Sequence, residues 1–177
     1  MTELTQEIVR ELLDYATESG CLTWKTRGRK WFKTNNSCAS WNGNYAGKEA
    51  GCKHSVGYIM IRVFDKPYSA HRLVWLYVYG YFPKEMDHIN HDRTDNRIIN
   101  LREVTRLQNT RNKRLLKTNT SGVTGVYRIK DKDRYRVSIG VNGKSIHISC
   151  HEDIGGAIAA RKAAEIEYGF HPNHGMT

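Results

Sequence analysis

The sequence has no apolar run long enough to cross a bilayer; the longest, Leu73 to Tyr79, suits a core helix at most. Its first residues, Met1-Thr2-Glu3-Leu4-Thr5-Gln6-Glu7, are polar and acidic and cannot act as the apolar core of a secretory signal. No Gly-rich phosphate loop is present, so nucleotide hydrolysis is not suggested. The four cysteines, Cys21, Cys38, Cys52 and Cys150, include no C-x-x-C pair. That spacing argues against structural zinc, and the low density argues against a disulfide framework, which leaves free buried thiols. Internal repeats and low-complexity tracts are also missing. A cytoplasmic protein with no membrane attachment is the resulting expectation.

What is there points to a polyanion. The chain has 177 residues, 39% of them hydrophobic, with ten Tyr and four Trp, enough for small but real cores. The formal net charge is +10. Nucleic acid is the first candidate partner for such a chain; an anionic membrane surface comes second, without a long basic amphipathic helix to support it.

Residues 4–18 read as an amphipathic helix, with Leu4, Ile8, Leu12 and Ala16 on one face and Gly20 as its stop. Cys21 to Trp24 reads as a short strand. Lys25, Arg27, Arg29, Lys30 and Lys33 then alternate with Trp31 and Phe32. This stretch suits either phosphate pairing and base stacking or a basic loop with inward tryptophans. Asn35 to Asn44 looks polar and irregular. Gly57 to Phe64 is a strand, Asp65-Lys66 a turn, and His71 to Tyr79 a short apolar helix stopped by Gly80. His71 is either a site residue or, more simply, a packing residue at the start of that helix.

The chemistry concentrates in Asp87-His88-Ile89-Asn90-His91-Asp92, Asp95-Asn96, Asn100-Leu101-Arg102 and Gln108-Asn109, on a hairpin with a long polar loop. Thr105 can cap a helix that follows, and five cations, among them Arg106, Arg111, Lys113 and Arg114, then run to Lys117 without an acid. An imidazole with an ordinary pKa of about 6.5 can take a proton from water at neutral pH. Carboxylate and amide oxygens suit Mg²⁺ or Mn²⁺ better than zinc. The same residues could instead form an Asx-rich loop that only ties down the hairpin. Adjacent strand residues point to opposite faces, so Asp87 and His88 can share one phosphate only if the backbone bends or the substrate crosses the strand edge.

Thr118 to Gly122 is a polar link. Beyond it, Thr124–Ile129, Arg134–Val141 and Lys144–Cys150 read as strands, with Asn142-Gly143 as a two-residue hairpin turn, and Asp153–Tyr168 as a helix. The turn sets Val141 opposite Lys144, Ile139 opposite Ile146 and Val137 opposite Ile148. The face opposite the helix then carries Arg134, Arg136, Ser138, Gly140, Ser145, His147 and Ser149, with no acid. It reads as a groove-approaching surface or as an ordinary solvated face.

Asp87-His88, Asn100-Leu101-Arg102, Thr105 and Asn109, with Ala70-His71-Arg72-Leu73-Val74 and Asp95-Asn96-Arg97, resemble the HNH nuclease motif in its phage and intron homing branch. The resemblance implies a ββα-metal fold, His88 as general base, Asp87 and Asn109 as metal ligands, and Asn100 as the residue that holds the loop and orients His88. Asn109 stands where other branches have histidine, which favours a hard ion. Residues 121–169 resemble the ethylene-response-factor type of DNA-binding domain through Ser121-Gly122, Gly125-Val126, Gly143-Lys144 and an Ala-rich helix, without its tryptophans. That family reads DNA with its sheet.

The expected fold is therefore α+β in small modules. These are an N-terminal α/β region in 1–70, a ββα-metal core in 71–117, and a three-stranded antiparallel sheet packed on one helix in 118–177. The expected function is metal-dependent, site-directed cutting of double-stranded DNA by a monomer, in the host cytoplasm if phage-encoded. Arg29, Lys30, Arg106, Arg111, Lys113, Arg114, Tyr127, Arg128, Lys130, Arg134, Arg136, Ser138 and His147 are the candidate DNA contacts. A non-catalytic DNA-binding regulator is the alternative, and an RNA-binding protein a third reading.

Overall fold

The computed structural model describes residues 3–105, 115, 119–130, 132–170, 172 and 174. The chain is α+β and divides into two compact units, 1–103 and 104–177.

The first unit opens with α1 (Gln6–Leu12), capped by the Thr5 hydroxyl, which accepts from the Ile8 amide. The helix ends well short of residue 18. Leu12 and Leu13 are both fully buried, and there the helical period gives way to strand alternation. β1 (Leu13–Tyr15) pairs antiparallel with β2 (Leu22–Trp24), Leu13 opposite Trp24. Asn35 to Asn44, expected to be irregular, lies in helix α2 (Asn35–Tyr45). Thr34 and Ser37 form a reciprocal capping box, a local start signal that outweighs the polar composition.

β3 (Cys52–Lys53), β4 (Ile59–Val63) and β5 (Lys66–Ser69) form one antiparallel sheet. The tight turn lies at Phe64-Asp65, one residue earlier than expected, with φ of 49° and 63°. Two positive φ values are the primed geometry that matches strand twist. α3 (Ala70–Tyr79) follows at once and stops at Gly80, whose φ is 84°. His71, Leu73, Val74, Trp75 and Leu76 of this helix are buried. Its apolar residues share one core with Val9, Leu12, Leu13, Leu22, Trp24, Ile61, Val63 and Leu101. The expected division at 70/71 is thus no boundary of the core. β6 (Met86–His88) and β7 (Leu101–Glu103) make a further hairpin. The helix expected to follow it, with Asn109, falls on 106–114, outside the described residues.

The second unit is a three-stranded antiparallel sheet packed on one helix. β8 (Val126–Arg128), β9 (Tyr135–Val141) and β10 (Lys144–His151) lie in the order β10-β9-β8. Asn142 and Gly143 supply the turn, with φ of 52° and 79°. α4 (Ile154–Glu167) is capped by Asp153, which accepts from the Gly156 amide. Val126, Val137 and Ala157 are fully buried between sheet and helix. Arg161 is buried there too; it donates to the Ser138 carbonyl at 2.7 Å and pairs with Glu165 at 3.0 Å.

The expected register holds from Val141–Lys144 through Ile139–Ile146 to Ser138–His147 and then slips. An irregularity between His147 and Ser149 sets Val137 opposite Ser149 rather than Ile148. The extra residue lets Ile148 stay packed against the core while the strand runs on to His151.

Candidate active site

The β6–β7 hairpin sets Asp87 opposite Arg102 and His88 opposite Leu101. Alternation turns the two catalytic candidates to different faces. His88 is buried, whereas the Asp87 carboxylate accepts from Arg102 at 3.0 Å.

Between the strands, residues 89–100 are held by amides and carboxylates. Asn100 Oδ1 accepts from the Asn90 amide at 3.0 Å, and its Nδ2 donates to the Asp95 carbonyl at 2.8 Å. Asp92 accepts from the Thr94 amide and hydroxyl. Asp95 receives Arg97 through Nε and Nη2 and Asn90 through Nδ2. The Arg97 hydrogen bonds hold the Asp95 carboxyl down at about 2. His91 sits in the loop with φ of 65°, its amide on the His88 carbonyl at 3.1 Å. It is a turn residue in this arrangement.

Asn96, rather than Asn100, touches the imidazole. His88 Nε2 lies 3.3 Å from Asn96 Oδ1. That oxygen only accepts, so Nε2 carries the hydrogen and Nδ1 the lone pair. Asn100 holds the loop, and Asn96 holds the ring. Asn96 is fixed in turn by the N-terminal hairpin. Tyr15 Oη donates to the Asn96 carbonyl at 3.1 Å and accepts from the Ile98 amide at 2.8 Å. Burial pushes the Tyr15 phenol up, which keeps the donor hydrogen in place. Gly20 has φ of 77°, and a side chain there would sit 2.5 Å from the Arg97 amide nitrogen.

Two rings wall His88. His71 packs edge-on at 5.0 Å between centroids, and Tyr58 lies 5.9 Å away. Burial lowers the His88 pKa, opposed by the Asn96 bond and by Asp87, Asp95 and Asp92. The neutral form, which can accept a proton, is favoured. His71 is pushed to about 3 by burial, with His88 and Arg72 adding to the shift.

The described residues contain no cluster of three or more His, Cys, Asp or Glu side chains that could hold a metal. Asp87 is the carboxylate adjoining His88, and Asn109 lies outside the described residues. A single carboxylate still fits a hard ion such as Mg²⁺, which binds through one or two carboxylates and keeps several waters. Such an ion would share Asp87 with Arg102 or displace it.

The basic candidates differ in what they touch. Arg29 donates to the Phe32 and Lys33 carbonyls and to Asn35, and Lys30 pairs with Glu11 at 2.8 Å. Trp24 is buried, and Trp31 donates to Glu11 and packs on Phe64, so this segment turns its rings inward. In the second unit, Tyr127, Arg136 and Cys150 form one cross-strand row, with Tyr127 exposed. Ser138 pairs with His147 on the same side. Arg128 alternates to the other side and pairs with Asp133 at 2.9 Å. Arg134 lies 3.3 Å from Glu152, so the sheet face expected to be free of acids has one at its margin. Lys130 is exposed in the turn after β8. Arg106, Arg111, Lys113 and Arg114 lie outside the described residues.

Tyr15 and Tyr58 were not singled out as site residues from the sequence, and Asn96 was read there only as a structural hydrogen-bonder of the loop. The Asp87–Arg102 pair could have been: once the strands are placed, hairpin register sets the two opposite each other.

A family model described as HNH endonuclease matches residues 68–111, well under half of the chain. This segment spans α3 and the β6–β7 hairpin, and it is HNH endonuclease-like. No curated protein and no solved structure matches the chain. No helix among the described residues is long and apolar enough to cross a membrane.

Proposed function

We propose that the chain is a metal-dependent, site-directed DNA endonuclease that nicks duplex DNA, with His88 as general base. The observation that carries this reading is a buried imidazole, hydrogen-bonded at Nε2 by Asn96, next to Asp87 in an HNH-like segment. His88 Nδ1 takes a proton from the water that attacks phosphorus. The bond from phosphorus to the 3′ oxygen breaks, that oxygen takes a proton from solvent, and a 5′-phosphate and a 3′-hydroxyl remain. Asp87 and Asn109 would hold Mg²⁺ or Mn²⁺, which when bound supplies charge stabilisation at phosphorus and at the leaving oxygen. Tyr127, Arg136, Ser138 and His147 would lie on the duplex as the ethylene-response-factor-like sheet approaches a groove. Arg106, Arg111, Lys113, Arg114 and Lys130 would pair with phosphates. Those phosphate contacts make affinity steeply salt-dependent.

The test uses supercoiled plasmid. Wild type with Mg²⁺ should convert it to the relaxed form, whereas EDTA or His88→Ala should abolish conversion and leave DNA affinity within about twofold. General-base loss costs on the order of 10² to 10⁴ in rate. Intact plasmid and intact genomic DNA with wild type would end the enzyme reading. One observation favours a second reading, a non-catalytic DNA-binding regulator: Arg102 occupies Asp87. It gives the same salt dependence without cleavage.

A further inference from the structure

We infer that His71 is a positioning residue: its buried ring is the wall that fixes the plane of the His88 imidazole. The catalytic consequence rests on the nuclease reading above; the geometry does not.

A single hydrogen bond at 3.3 Å fixes one atom of the His88 ring and leaves its tilt open. The tilt must come from packing. His71 stands at the first turn of α3, outside the hairpin, and meets His88 at 5.0 Å with 73° between planes. Edge-to-face contact of this kind is the favoured arrangement of two rings. Tyr58 backs both, 5.0 Å from His71, and Arg93 lies 4.9 Å over the Tyr58 ring. His71 stays uncharged against His88, because burial holds it near 3.

The position also carries a cost. Among the described residues, His71 Nδ1 is buried with no hydrogen-bond partner, which disfavours folding. Leucine would fill the space without that cost, but it has no flat face. Imidazole is the smallest flat ring available to a side chain. A residue that weakens the fold while shaping the site is the pattern of a functional position.

The test uses the full chain and four variants. Two-bond ¹H–¹⁵N spectra report the tautomer of His88, whose signals are identified by their loss in His88→Gln. Wild type should show the Nε2-protonated form alone. His71→Leu should keep the fold, mix the His88 tautomers, and cut the plasmid-nicking kcat about tenfold or more with KM within twofold, since a displaced group of this kind costs up to about 10²-fold. His71→Phe, flat again, should regain at least threefold over His71→Leu. An unchanged His88 tautomer in His71→Leu would overturn the inference, as would a phenylalanine variant no better than leucine. Should His71→Leu not fold, His71→Phe against His71→Met decides by the same signals. If wild type cuts nothing, the nuclease reading fails, and the tautomer spectra still judge the role of His71.

Discussion

Two of the hairpins in the first unit are closed in opposite ways. The β4–β5 hairpin turns in two residues, Phe64-Asp65, and buries Ile61 and Val63 in the common core. The β6–β7 hairpin has three-residue strands and is closed by residues 89–100, tied by the side chains of Asn90, Asp92, Asp95 and Asn100. Apolar burial is non-directional and tolerates similar side chains. An amide network fails when one partner is removed, because the other is left buried and unpaired. His88 sits at the end of this polar-looped hairpin, whose closure depends on particular hydrogen-bonded atoms rather than on buried area.

That difference can be broken at the loop. Asn100→Ala should cost about 2 kcal/mol, since it strands the Asn90 amide and the Asp95 carbonyl. Urea unfolding measures this, and a loss below about 0.5 kcal/mol would show the network to be dispensable. Acid should act on the same hairpin next. The Asp95 carboxyl is held at about 2 in the folded protein by Arg97, below its ordinary value near 3.9. A depressed carboxylate contributes stability above its unfolded pKa, which is lost as pH falls through the folded one. Between pH 4 and pH 2, about 1–2 kcal/mol should disappear, and Asp95→Asn should flatten this part of the curve. The tight hairpin gives the smallest effect. Asp65 adopts φ of 63°, a left-handed conformation that glycine adopts freely. Asp65→Gly should change stability by only about 0.5 kcal/mol, in the favourable direction, by thermal melting. A loss of more than about 1 kcal/mol would mean that the Asp65 side chain itself holds the turn.

The parts legible in the sequence were those with local, strong signals. Asn142-Gly143 fixed a hairpin turn and with it the near half of the β9–β10 register. Gly80 fixed the end of α3. The β6–β7 hairpin followed from the long Asx-rich loop between its two short strands. Where two local signals competed, reading by one of them failed. Leu4 to Ala16 has helical spacing, but Leu13 and Tyr15 also fit strand alternation, and β2 supplies a partner. Asn35 to Tyr45 lacks an apolar stripe, yet Thr34 and Ser37 start a helix there. Long-range contacts left no local trace at all. The Ile148 bulge depends on the core beneath it, and the choice of Asn96 over Asn100 as the imidazole's partner depends on how the loop folds back on itself.

The contacts of Tyr15 and Gly20 with residues 96–98 bear on what can be moved between proteins. The HNH-like segment, 68–111, is not a cassette that carries its own scaffold. Asn96 holds the His88 ring, but the peptide that bears Asn96 is braced by a phenol more than eighty positions earlier in the chain, against a turn with no room for a side chain. Shuffling such segments among nucleases therefore has a hidden seam. A graft must bring β1, its turn and β2 along with the motif, or it transfers the signature residues without the geometry that makes them a site.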